Sequence, residues 1–595
     1  MLAINTVASI THKESSSGST VKISTKVLAV FVLPVALIGG NLAQAADTPD
    51  EQFIVAAPPT NDRYTGVNLA DEGYSKYNAS LLEAMTANGV SRSSRILTKV
   101  ACSKIGDEGC EPEKFFQYNA LLGACDSTVT TNCINKVFAI DGNGKELVGQ
   151  VVGTFPGKTK YTYAGDPSIG LPTGNSALIV EFPGVTHQGG SESLVSGYMT
   201  GFRGFDEKQF KVENFSSFIK AISRVDGNCR APEQETNLRP DSKLEGRAMR
   251  QGGCNKGNNN ASTIACAMTS NSQCAVPWAL PRDLTFGISF KLHEKVTGWL
   301  HGRISDAIAT INSAGDGDQI LTIQGKPTIV PGIHAWYKKT ELPKPLSDFY
   351  SMVSPVQLNT SGAGWPSADG KMSDGPDGLP YSILKEGFGY DEYNFREVLA
   401  WIQATGDKAT YAPTIWSFRT MESSEYDLCM KGSNSLSGIV STNSTMYVGN
   451  PPRFDRESQS LDYKVMSPHS LPNGEEFKGT YDLVIKSDVA RCIYGFSSAP
   501  VSAKITILSA DGNTQVATTT FNERNGWMYL VARGFTFSSP TVRVKLTQEA
   551  PKGSKPAALA QPATPVKTSI VCTKAMKIKM VTAVKPVCPS GWKKK

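Results

Sequence analysis

Leu284-Thr285-Phe286-Gly287-Ile288-Ser289-Phe290-Lys291-Leu292 alternates five large apolar residues with four small or polar ones. A two-residue period belongs to a β-strand, whose successive side chains point to opposite faces, so this stretch reads as a strand with one face in a core and one in water. The same character continues on both sides. Residues 297–304, 320–323, 328–330 and 334–337 are strand-like downstream, and 137–140, 147–152 and 177–182 upstream. Asp141-Gly142-Asn143-Gly144 supplies a hairpin turn between the first two upstream runs. Further along, runs at 481–486, 501–508, 515–521, 527–532 and 541–546 are separated by turn residues such as Asp511-Gly512-Asn513 and Asn525-Gly526. Short strands at that regular spacing predict a β-sandwich-like domain over 451–548.

Helical periodicity is rarer. From Asp391 to Ala404, Phe395, Val398, Leu399 and Ile402 form one stripe, after an acidic first turn and before Gly406. Two further helices are expected. One covers 71–88, with Tyr74, Tyr77, Leu81, Leu82 and Met85 on one face; the other covers 112–123, from Pro112 through Phe115, Phe116, Leu121 and Leu122. Flanked by cysteine loops, the second reads as a stapled cap outside the main core. The fold class expected is mainly β with a few helices, multi-domain and disulfide-stapled.

The chain has 595 residues, too many for one hydrophobic core. At its start, Lys22 and Lys26 precede an apolar run over 27–38, and Ala43-Gln44-Ala45 follows, the order of a secretory signal peptide. The domain plan expected is therefore a signal peptide at 1–45, a helical, Cys-stapled segment at 46–134, and a large β-rich region with inserted loops and one helix at 135–450. The sandwich at 451–548, a Pro/Ala-rich linker at 549–568 and a small basic tail module at 569–595 complete it. No later apolar run reaches the roughly 20 residues of a membrane-spanning helix, so no transmembrane segment is expected in the mature chain.

Twelve cysteines in an exported chain point to disulfides. Three neighbour pairs share an eight-residue step, Cys102-Cys110, Cys125-Cys133 and Cys266-Cys274, and the remaining neighbours are Cys229-Cys254, Cys429-Cys492 and Cys572-Cys588. The rival reading, structural zinc, wants pairs two to four residues apart, and that spacing is missing.

Charge is split unevenly. The net +6 of the chain hides a tail from 569 to 595 with seven lysines and no acid, while residues 46–568 sum to −3. Nucleic-acid readers carry their basic patch on the folded body, so that class is disfavoured. Lys574, Lys577, Lys579, Lys585, Lys593, Lys594 and Lys595 are instead candidate contacts to anionic cell-envelope polymers or glycans.

The tail SIVCTKAMKIKMVTAVKPVCPSGWKKK resembles a C-terminal module found on secreted proteins of planktonic actinobacteria, in its two cysteines, its lysine spacing and its Val581-Thr582-Ala583-Val584-Lys585-Pro586 run. It departs from that pattern at Ala575-Met576, where a glycine is usual. The body, including the TGWLHGRI and SDVARCIYGF stretches, looks like uncharacterised exported proteins that carry such tails. The resemblance implies export and brings no activity with it.

Chemical motifs are sparse. H-E-x-x-H, the G-x-S-x-G elbow and the phosphate loop are all missing, and an even cysteine count leaves no free thiol. His293, His301 and His334 are close enough in sequence to converge on a metal, with half-buried strand histidines as the plainer reading. Asp369, Asp374 and Asp377 stand in a glycine-rich loop and could offer oxygens to Ca2+; no other cofactor is expected. Trp299, Trp336, Trp416 and Trp527 sit in strand contexts, where an exposed indole could stack on a sugar but a core position is commoner. The function expected is that of a secreted or cell-surface binding protein held on the envelope by its tail. The alternative is an extracellular hydrolase acting on polysaccharide through unrecognised carboxylates.

Overall fold

In the computed structural model the strand at the centre of the sequence pattern, Thr285–Leu292, lies between two others, pairing with Cys133–Ile140 on one side and Asp318–Ile329 on the other. The residues described are 49–53, 64–70, 79–87, 97–157, 162–205, 207–230, 252–255, 264–269, 273–352, 363–364, 383–386, 388–389, 392–421, 429, 435–509, 512–537, 541–548, 568–574, 577–583, 587–590 and 592–594. From Asp318–Ile329 the sheet passes to Gly298–Gly315, then to Thr414–Thr420, Lys211–Asp226 and Glu192–Arg203. Glu192–Arg203 pairs with Phe115–Leu122, whose end bridges back to Ile134, so the strands form a closed barrel.

The barrel interior is packed with side chains. Phe215, Phe290 and Phe418 meet at its centre with ring centroids 5.0, 5.8 and 6.3 Å apart, and Trp416 joins them while donating its indole N–H to Gly325 O at 2.8 Å. Edge-to-face contacts at such distances add to area burial. The outer face of 285–292 differs from expectation. Gly287 and Ser289 are buried too, because the Phe138 ring lies on Gly287, where a Cβ would come within 2.3 Å of it, and Thr322 donates to the Ser289 hydroxyl.

Both early helices are corrected to strands: Leu81–Ala87 and Phe115–Leu122 pair with each other, and the second lines the barrel. The reason is double burial. Phe116, Tyr118, Ala120 and Leu122 face the core, while Leu121 is covered on the other side. A strand buried on both faces loses its period of two, and its paired apolar residues then imitate a helical stripe. The segment is part of the main core rather than a cap.

The helix Glu392–Ala404 forms as expected. With an unforeseen helix, Lys344–Ser351, it covers a small sheet in which Tyr64–Ala70 lies between Ile333–Lys338 and Ile383–Glu386. Val67, Leu69, Ile333, Phe349, Val398 and Trp401 form the core between them.

Near the C-terminus two layers face each other. One contains Leu436–Thr442, Gly479–Lys486, Trp527–Phe535 and Thr518–Arg524; the other contains Met446–Val448, Ser460–Met466, Thr541–Gln548 and Val501–Leu508. Tyr463, Tyr481, Leu483, Leu530, Val542 and Val544 fill the space between. The first layer does not stop at the boundary expected at 450/451. Leu436–Thr442 runs parallel to the start of Gly298–Gly315, so this layer continues the sheet of the barrel. A third helix, Ser487–Tyr494, closes one end of the layers and stops at Gly495, whose φ of 67° is left-handed. Among the described residues no helix is long and apolar enough to cross a membrane.

Candidate functional site

The tail folds as a small antiparallel sheet. Thr568–Lys574 pairs with Lys577–Ala583 on one side and with Lys593–Lys594 on the other. Lys574 stands opposite Lys577, and Ala575 and Met576 between them lie outside the described residues. Cys572 stands opposite Lys579 on one side and Lys594 on the other. Directly opposed residues share a face of a sheet, and faces alternate along each strand. Lys574, Lys577, Lys579 and Lys594 therefore occupy one face, while Lys593 falls on the other with Val571, Ile578 and Met580. Neighbouring positions on a face are about 7 Å apart along a strand and about 4.8 Å across strands. All four thus lie within about one or two Debye lengths at physiological salt, each about 8 Å. Lys585 and Lys595 lie outside the described residues.

Four of the expected disulfides are formed, Cys102–Cys110, Cys125–Cys133, Cys266–Cys274 and Cys429–Cys492. Cys229 and Cys254 are directly opposed on adjacent strands, and Cys588 is disulfide-bonded. No cysteine is free among the described residues.

The three histidines do not converge. His293 Nδ1 lies 2.9 Å from Asp318 Oδ1 at a hairpin end. His334 packs edge-on to Phe53 and Trp336, where burial lowers its pKa to about 4. His301 is wholly buried and stacks on Tyr447 at 3.4 Å, and neither ring nitrogen has a partner among the described residues. Burial first, and then the charges of Arg303 and Arg419, hold it well below the usual imidazole range. Arg303 lies over the same tyrosine ring and donates to Thr442 O and Ser444 O, and Arg419 donates to the Tyr447 hydroxyl at 2.7 Å. Among the described residues no three His, Cys, Asp or Glu side chains are grouped to hold a metal. Asp369, Asp374 and Asp377 lie outside the described residues.

One gathering of carboxylates escaped the sequence. Arg533 Nη2 donates to Asp482 Oδ1 at 2.9 Å and to Asp306 Oδ1 at 3.0 Å, bringing together residues from three strands. Asp482 is almost fully buried, and desolvation raises its carboxyl despite the pull of Arg533. The two acids are joined by the guanidinium rather than facing an open space, so the arrangement is an ion network. It is unlike the separated pair that flanks a glycosidic bond. Trp299, Trp416 and Trp527 are buried core residues, and Trp336 is half-buried. Among known proteins, no family model and no curated sequence matches this chain.

Proposed function

We propose that the protein is a secreted or cell-surface binding protein whose β-rich body is held on anionic envelope polymers by the basic face of its tail. The observation that carries this reading is the strand register that gathers Lys574, Lys577, Lys579 and Lys594 on one side of the small sheet. The slightly acidic body between residues 46 and 568 leaves the attraction to the tail. Disulfides persist in oxidising compartments, and the bridges of this chain agree with export. The competing hydrolase reading gains nothing from Asp306 and Asp482, because Arg533 occupies the space between them.

The test is retention of the full chain on an immobilised anionic polysaccharide, eluted with a sodium chloride gradient. A variant with Gln at 574, 577, 579 and 594 is expected to elute far earlier than wild type, and one with Gln at 585, 593 and 595 only slightly earlier. Elution of both variants with wild type would sink the proposal. Equal losses in both would show that net charge acts rather than this face.

A further inference from the structure

One end of the barrel holds three polar groups that the protein itself does not satisfy. Tyr118 and Tyr163 are 0% and 3% exposed and Arg203 is 5% exposed. The Tyr118 and Tyr163 hydroxyls and Arg203 Nε have no hydrogen-bond partner among the described residues. Buried polar groups in folded proteins nearly always have a partner, from the protein, from water or from a ligand.

Two of the three flank Phe210, which is seated by its own N–H donating to Ile169 O at 2.8 Å, and Tyr163 lies close enough to Tyr118 for the two phenols to affect each other. The Tyr118 ring is 5.6 Å from the Phe210 ring and the Arg203 guanidinium 5.3 Å. Arg203 Nη2 is already spent on Pro112 O. Tyr163 enters from the 162–174 loop, which pairs its own ends through Tyr163 and Gly174. Gly201 packs directly against the Tyr118 ring and hydroxyl. A Cβ there would come within 2.8 Å of the Tyr118 hydroxyl and 2.1 Å of Lys211 O. At the rim, Glu294 lies against Gly170, where a Cβ would sit 2.8 Å from its Oε1.

Burial, with the Glu294 charge second, holds the Tyr118 phenol above its usual range, and burial followed by the Tyr118 phenol does the same for Tyr163. Both therefore remain O–H donors. A phenol also accepts, yet the set as a whole offers two O–H groups and one N–H, with Tyr118 and Arg203 on adjacent paired strands and Tyr163 on the 162–174 loop.

We infer that this end of the barrel is a binding site for an oxygen acceptor, either ordered water or the carboxylate of a small solute, held by Tyr118, Tyr163 and Arg203. The site is independent of the tail. Its test is thermal unfolding of the full chain with Tyr118→Phe and Tyr163→Phe, each of which removes one hydroxyl and no packing carbon. If the hydroxyls hold an acceptor, each variant lowers Tm by about 2 °C, the shift for a modest loss in a large domain. If they point into apolar surroundings, removing them leaves Tm unchanged or raises it, and that result in both variants overturns the inference. Sodium acetate against sodium chloride at equal ionic strength separates the two sources. A Tm rise in wild type that both variants lose identifies a carboxylate; loss of stability in the variants without an acetate effect identifies water.

Discussion

Replacing Arg533 with methionine probes the ion network that joins the barrel sheet to the sandwich layers. Arg533 lies on Trp527–Phe535 and Asp482 on the adjacent Gly479–Lys486, with Thr480 directly opposite Arg533. Its Nη2 is 2.9 Å from Asp482 Oδ1 and 2.8 Å from Oδ2, and its Nη1 donates to Tyr481 O and Ala532 O, both at 3.0 Å. Asp482 is 1% exposed, whereas Asp306 is 55% exposed at its side chain and also lies 3.5 Å from Lys326. Methionine keeps the length of the arginine stem and removes its charge, leaving a buried carboxylate without a counter-ion. Breaking a buried pair from one side costs about 3–5 kcal/mol. Asp306→Asn removes a partly exposed partner and should cost under about 1 kcal/mol.

The double variant Arg533→Met/Asp482→Leu should recover much of the loss, because no uncompensated charge remains. The sign with pH is fixed as well. Burial already raises Asp482, and loss of Arg533 raises it further, so the native state of the variant takes up a proton before the unfolded chain does. The deficit relative to wild type is therefore greatest at pH 7 and shrinks in mild acid. Urea unfolding at pH 7 and pH 5 measures both effects. A loss below about 1 kcal/mol for Arg533→Met at pH 7, or simple additivity with Asp482→Leu, would refute the reasoning.

Acid should weaken the wild-type fold, since His301 is held well below its usual pKa of 6.5 and His334 at about 4, so only the unfolded chain takes up these protons as pH falls below about 6.5. Each contributes a loss of about 2 kcal/mol by pH 5, measurable as a lower denaturation midpoint and opposed in sign by His469, whose hydrogen bond to the Asp407 carboxylate raises it. Removing the Cys429–Cys492 bridge, which spans 63 residues, should cost about 4 kcal/mol against about 2.5 kcal/mol for Cys102–Cys110, which spans 8. Paired Cys→Ser variants compared by unfolding test that order, and a reversed order would count against the chain-entropy account. Gly438→Ala places a Cβ 2.5 Å from Trp299 Cζ3 and 2.7 Å from Val484 O, and backbone cannot move aside cheaply. A loss of about 1–3 kcal/mol is expected, read as a Tm decrease; an unchanged Tm would show that the parallel pairing of 436–442 tolerates widening.

The sequence by itself determined the elements whose hydrogen bonds or burial pattern are local. Val501–Leu508 and Thr541–Gln548 announce themselves by alternation, because each has a face that differs from its reverse over much of its length, and Thr285–Leu292 does so by its alternating residue types although both of its faces are buried. Glu392–Ala404 does so by its stripe, since an α-helix bonds within itself and presents one side to a core. Cysteines eight residues apart close loops with little loss of chain freedom, and all three such pairs are bridged. The basic face of the tail was legible as a charge count, but the register alone sorted four lysines onto one side.

Tertiary structure decided the rest, because a strand's partners lie elsewhere in the chain. Leu81–Ala87 and Phe115–Leu122 are strands only because neighbouring strands bond to their edges and apolar side chains cover both faces. Leu436–Thr442 joins the barrel by lying parallel to Gly298–Gly302, a pairing of segments more than one hundred residues apart that local propensity does not encode. Asp306, Asp482 and Arg533 meet for the same reason: Arg533 bonds to a residue 227 positions away. Charges become a network, and buried phenols a site, only after the barrel has closed and removed them from water.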